Sequence, residues 1–151
     1  MTQYARNTNV SVTQSQIEVQ AILRRYGANR FGTMEDEKSA YLMFEYQGLL
    51  IQIQINMPSK DDFVRTPTGR PRNNAQIERE HEQAIKQKWR ALVLAVKAKL
   101  EAVESGISTI EQEFLAFVMM PDGKPLADHL VPNLKKIVET GSMPKMLTMG
   151  V

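Results

Sequence analysis

From residue 49 to residue 57 the chain alternates without a break. Leu49, Ile51, Ile53, Ile55 and Met57 share one parity, and Leu50, Gln52, Gln54 and Asn56 share the other. Side chains along a strand point to opposite faces in turn, so this run is a strand with one face to bury and one face left wet. Such a strand needs partners in a sheet and a second layer over its apolar side. The partners lie just upstream. Residues 39–46 alternate too, with Ala40, Leu42, Phe44 and Tyr46 on one side. Gln47-Gly48 between the runs is a two-residue turn, where glycine accepts the positive φ. Residues 30–35 read as a weaker strand, joined to the next by the charged turn Glu35-Asp36-Glu37-Lys38. A three-stranded antiparallel meander is therefore expected.

The second layer must come from helices. Val19, Ile22, Leu23 and Tyr26 recur at i, i+3, i+4 and i+7, and Gly27 follows them. This predicts a helix over 14–26 with Thr13 and Gln16 as its capping box and Gly27 past its end. A short strand is expected at Val10 to Val12. After the meander, Ile85, Trp89, Leu92, Val96, Leu100 and Val103 form a helical stripe. They predict a helix over 75–104, capped by Asn74 and stopped at Ser105-Gly106. At 1.5 Å per residue it is about 45 Å long, more than three strands can cover. That length, with Ala91, Ala95, Ala98 and Ala102 along it, leads to the expectation of a homo-oligomer. A Ser108–Glu111 capping box opens a further helix holding Ile110, Phe114, Leu115, Phe117 and Val118. A last helical region, 126–140, is expected to be divided at Pro132 and capped by Gly141. The tail 142–151 is apolar enough to dock through Met143, Met146, Leu147 and Met149. The fold class is α+β: an N-terminal helix, the meander, a long helix and further C-terminal helices, in one domain over 1–151.

The 151 residues include no cysteine. Disulfides, thiol nucleophiles and thiolate metal sites fall away together, and a reducing cytoplasm is the expected workplace. The N-terminus lacks the apolar core of a signal peptide, and no run approaches the ~20 residues of a membrane span, so no membrane partner is expected. The nine methionines read as adaptable core filler.

Charge is unevenly spread. Residues 1–57 hold five basic and five acidic side chains, residues 58–99 ten against five, and residues 100–151 four against seven. The middle is the one electropositive stretch, which suggests an anionic partner. Within it, residues 58–74 form a connector of 17 residues with three prolines, expected to be flexible, and Arg65, Arg70 and Arg72 crowd it with no acid between them. Arginine's planar fork suits bidentate phosphate contact. Residues 86–99 of the long helix are likewise free of acids and carry Lys86, Lys88, Arg90, Lys97 and Lys99. These eight cations are the candidate nucleic-acid or anion contacts. Trp89 lies on the apolar stripe and is expected in the core rather than as a stacking platform.

No catalytic residue, metal site or cofactor is assigned. His81 and His129 are the only histidines and stand far apart in sequence; a zinc site needs three or four ligands at a sensible spacing. Glu35, Asp36 and Glu37 read as a solvated turn. Gly69 does not belong to a phosphate-binding loop, since the GxxxxGK[ST] pattern is absent.

The stretches Lys88-Trp89-Arg90-Ala91-Leu92, 96–107, Glu113-Phe114-Leu115-Ala116 and Pro121-Asp122-Gly123 resemble an uncharacterised family of small phage- and prophage-encoded proteins. Arg25-Tyr26-Gly27-Ala28 and Thr66-Pro67-Thr68-Gly69-Arg70 are similar too, so the likeness runs along most of the chain. It implies a mobile-element origin and a bacterial host cytoplasm, and it brings no activity and no catalytic residues. The helix–meander–helix order is also similar to double-stranded-RNA-binding domains, although Glu78, Glu80 and Glu82 occupy the region where those carry a basic cluster. Phage single-strand annealing proteins, with a meander, a long helix and a basic groove, match the charge map better. The function expected is a non-enzymatic, phage-type nucleic-acid-binding accessory, of a single-strand-binding or annealing-like kind. The alternative is a counter-defence inhibitor that binds a host protein or a signalling nucleotide.

Overall fold

The structure is a computed structural model, and it describes residues 5–143. Helix α1 (Val12–Arg25) leads into strands β1 (Arg30–Glu35), β2 (Ser39–Tyr46) and β3 (Leu49–Asn56), which pair antiparallel in chain order. Helices α2 (Asn74–Glu104), α3 (Ile110–Phe114) and α4 (Leu126–Thr140) follow. The architecture is the expected α+β meander with helices. Register sets Ala40 opposite Ile55, Leu42 opposite Ile53 and Phe44 opposite Ile51. These face α1 and α2, where Val19, Leu23, Trp89, Val93, Val96 and Leu100 close the core. Trp89 is fully buried, as its place on the stripe predicts. Phe114 of α3 meets the Phe44 ring edge-on at 5.3 Å between centroids.

The hairpin turn forms as expected. Gln47 and Gly48 both have positive φ, 47° and 81°, the pair of left-handed conformations whose twist matches that of the flanking strands. Gly27 ends α1 in a left-handed conformation at φ 90°. The Ala28 and Gly27 amides donate back to the Leu23 and Arg24 carbonyls, which satisfies two otherwise open acceptors.

Several local expectations give way. Ser11, not Thr13, caps α1: its hydroxyl accepts from the Gln14 amide, so the helix starts at Val12 and no strand forms at Val10 to Val12. Asn73 caps α2 in a reciprocal box with Gln76, one residue before Asn74. Thr109 and Gln112 form the box at α3, while the Ser108 hydroxyl bonds the Glu113 carboxylate instead. The helix expected to reach Val118 stops at Phe114, tightens into a 3-10 turn at Leu115–Phe117 and then extends. The gain is non-local: the Met119 amide donates to the Leu50 carbonyl at 2.8 Å and Val118 bridges Ile51, covering part of the β3 edge. Pro132 does not divide α4. The helix runs through it to Gly141, which caps it at φ 65°. Of the tail expected to dock, residues 144–151 lie outside the described residues, and Met143 is exposed.

Among the described residues no helix is long and apolar enough to cross a membrane.

Candidate nucleic-acid interface

The connector is a loop with its own hydrogen bonds. It opens with a 3-10 turn, Lys60–Phe63, in which Ser59 and Asp62 cap each other reciprocally. Residues 64–72 then double back. The Arg72 amide donates to the Val64 carbonyl and the Thr66 amide to the Arg70 carbonyl, both at 2.8 Å. The Thr66 carbonyl accepts in turn from the Gly69 amide. Pro67 suits the second position of this turn and Gly69 its left-handed fourth, at φ 87°. His81 fastens the loop to α2: its Nε2 lies 2.9 Å from the Pro58 carbonyl oxygen and its ring meets Phe63 edge-on.

This folding uses two of the three loop arginines. Arg72 Nη1 donates to the carbonyls of Phe63 and Arg65 at 3.2 and 2.9 Å. Arg65 Nη1 donates to the Gly69 carbonyl at 2.9 Å. Backbone carbonyls leave the cations their charge but fix where the guanidinium groups sit. Arg70 is exposed, and its guanidinium has no such partner among the described residues.

The five candidates on α2 divide between two flanks. Lys86, Arg90 and Lys97 step by four and seven residues and share the flank toward α1; Arg79, seven residues before Lys86, joins them. Lys88 and Lys99, eleven residues apart, lie on the flank toward α3. The second half of the helix is neutralised. Arg90 and Lys97 both reach the Glu18 carboxylate of α1, at 2.6 and 3.2 Å. Partial burial works against ionised Glu18, but these two hydrogen bonds outweigh it and hold the carboxyl below its ordinary range. Lys99 donates to the Glu113 carbonyl at 2.9 Å, lies 3.7 Å from its carboxylate, and packs over the rings of Phe114 and Phe117. Arg90, Lys97 and Lys99 therefore bind the helices to one another.

Arg70, Arg79, Lys86 and Lys88 have no ion pair or side-chain hydrogen bond among the described residues. All four belong to the loop or to the first half of α2, and 79 to 88 spans about 14 Å along the helix. Of the acids in that half, Glu78 is taken by Lys60, which holds its carboxyl below the ordinary range. Glu80 and Glu82 have no ion pair among the described residues. Arg79 is absent from the candidates named by sequence because three acids surround it in the chain. Its phase with Lys86, one heptad apart, was the available signal.

The remaining polar candidates have structural employment. Asp36 Oδ1 accepts from the Lys38 and Ser39 amides, which lowers its pKa and fixes the β1–β2 turn. His129 contacts Asp122 at 2.8 Å. Among the described residues no three His, Cys, Asp or Glu side chains converge as metal ligands would. No protein-family model, curated protein sequence or solved structure matches the chain.

Proposed function

We propose that this chain is a non-enzymatic nucleic-acid-binding accessory protein whose phosphate contacts are Arg70, Arg79, Lys86 and Lys88. The observation that carries the reading is the division of the cations: these four end on no partner among the described residues, whereas Arg90, Lys97 and Lys99 are consumed by Glu18 and Glu113. A cation held by a neighbouring carboxylate must break that pair before it can meet a phosphate. One without such a pair displaces only counterions. Arg65 and Arg72 keep their charge and support the loop that presents Arg70. The likeness to small phage proteins adds a context, a mobile element's nucleic acid or host defence, and no residue.

The test is binding of a single-stranded oligonucleotide, followed by fluorescence anisotropy across a salt series. Log affinity should fall linearly with log salt, with a slope of about 0.7 per phosphate contact. Salt-independent binding to a host protein, with no binding to any nucleic acid at low salt, would favour the counter-defence alternative and overturn this reading.

A further inference from the structure

Helix α4 is more strongly amphipathic than α1 or α2, yet none of its residues is buried. Its apolar side has two parts. Leu130 and Ile137 are half-buried and lie on one edge of the apolar arc, while the body touches α4 through the 3-10 turn Leu115–Phe117. The other part is exposed: Val131, Leu134 and Val138 are 62%, 54% and 75% exposed, and Val131 and Leu134 form one wall of a solvent-open cleft whose other wall is Leu115, Ala116 and Phe117. With half-buried Ala127 they step by four, three and four residues, the spacing of a seam that pairs with another helix. Asp128 and Lys135 border this seam on the same flank, one heptad apart. Pro132 lies away from it, so its missing amide does not disturb the face.

We infer that the open seam of α4 binds the α4 of a second copy of this chain, antiparallel, across a two-fold axis. The spacing is self-complementary. Reversing the seam sets Ala127 against Val138 of the other copy and Val131 against Leu134, and by symmetry the same two layers repeat. In an antiparallel pair the same flank meets itself, so Asp128 of each copy faces Lys135 of the other. A parallel pair would set like charges at equal heights and would gain neither bridge. Lys135 is largely exposed, and its one ion pair among the described residues is with Glu139 at 3.9 Å, itself largely exposed. The seam is about 17 Å long and is smaller than a standard interface. Association is therefore expected at micromolar or weaker affinity.

The experiment is light scattering and sedimentation of the full chain from low micromolar to several hundred micromolar. Wild type should pass from monomer to dimer, and Leu134→Glu should stay monomeric with an unchanged melting curve, since α4 adds nothing buried to the core. Asp128→Lys and Lys135→Glu should each weaken self-association several-fold, and an equimolar mixture of the two should recover it, because each heterodimer restores both bridges. Three results would overturn the inference: a wild type that stays monomeric throughout, as when the chain's own C-terminal residues or a different protein cover the seam; a Leu134→Glu variant that dimerises like wild type; or a mixture no better than its components.

Discussion

In the first half of α2, Arg79, Lys86 and Lys88 reach no partner among the described residues; in the C-terminal half, Arg90, Lys97 and Lys99 each end on an acid of a neighbouring helix. By sequence the stretch 86–99 promises the better phosphate surface because it contains no acid, yet the division falls inside it, between Lys88 and Arg90. The difference comes from what each half packs on. The C-terminal half lies between α1 and α3, and both supply a carboxylate at the rim of the buried stripe. The first half extends past the core toward the loop and the N-terminal segment, where the Lys60–Glu78 pair, the His81–Pro58 contact and Gln83, which donates to the Arg6 and Thr8 carbonyls, tie it down. Charges beside a core are drawn into holding it closed, and charges beyond it stay available.

Substitutions should separate the halves sharply. The largest effect belongs to the core itself. Trp89→Ala removes a fully buried side chain and should cost about 3–5 kcal/mol in denaturant melts, or prevent folding. A loss near that of an exposed substitution would mean that the C-terminal half of α2 is not anchored as described. Next comes the sheet beneath it. Ile53→Ala should cost about 2–5 kcal/mol, and Gln52→Ala, on the opposite face, under about 0.5 kcal/mol. Equal losses at the two positions would contradict the buried-face assignment of β3.

The ion pairs at the rim should matter less, and their contribution should depend on pH. Glu18 has a folded pKa below its ordinary value because Arg90 and Lys97 outweigh its burial. Its stabilising contribution is therefore complete above the ordinary carboxylate range and is lost as pH falls through the lower folded value. Glu18→Gln should be less stable than wild type at neutral pH, by about 1 kcal/mol or less. The gap should close on acidification below about pH 4. A gap that persisted unchanged into acid would show that packing, not charge, is what the glutamate supplies.

These contrasts also mark what the chain shows without a structure. The alternation from Leu49 to Met57 was enough to name the buried face, and Gln47-Gly48 enough to name the turn, because both are written within a few neighbouring residues. The caps were displaced by one or two positions because Ser11 and Thr13, Asn73 and Asn74, and Ser108 and Thr109 are chemically interchangeable there. Backbone geometry alone chooses between them. The end of α3 could not be read, since Val118 and Met119 leave the helix for the edge of β3. The candidate site was legible as a list of cations and not as a surface: Arg90 meets an acid 72 positions away in the chain. A charge count along the sequence therefore finds the basic segment and cannot tell which of its members are already engaged.

The most direct measurement compares two triple variants for binding to one single-stranded oligonucleotide across a salt series, with melting curves of both. Arg70→Ala, Lys86→Ala and Lys88→Ala together should leave stability unchanged and flatten the salt slope by about two units, at roughly 0.7 per contact. Arg90→Ala, Lys97→Ala and Lys99→Ala together should lower the melting temperature and, below the melt, leave the slope as in wild type. Slopes that drop equally in both variants, or only in the latter, would contradict the division of the helix into a free half and an engaged half.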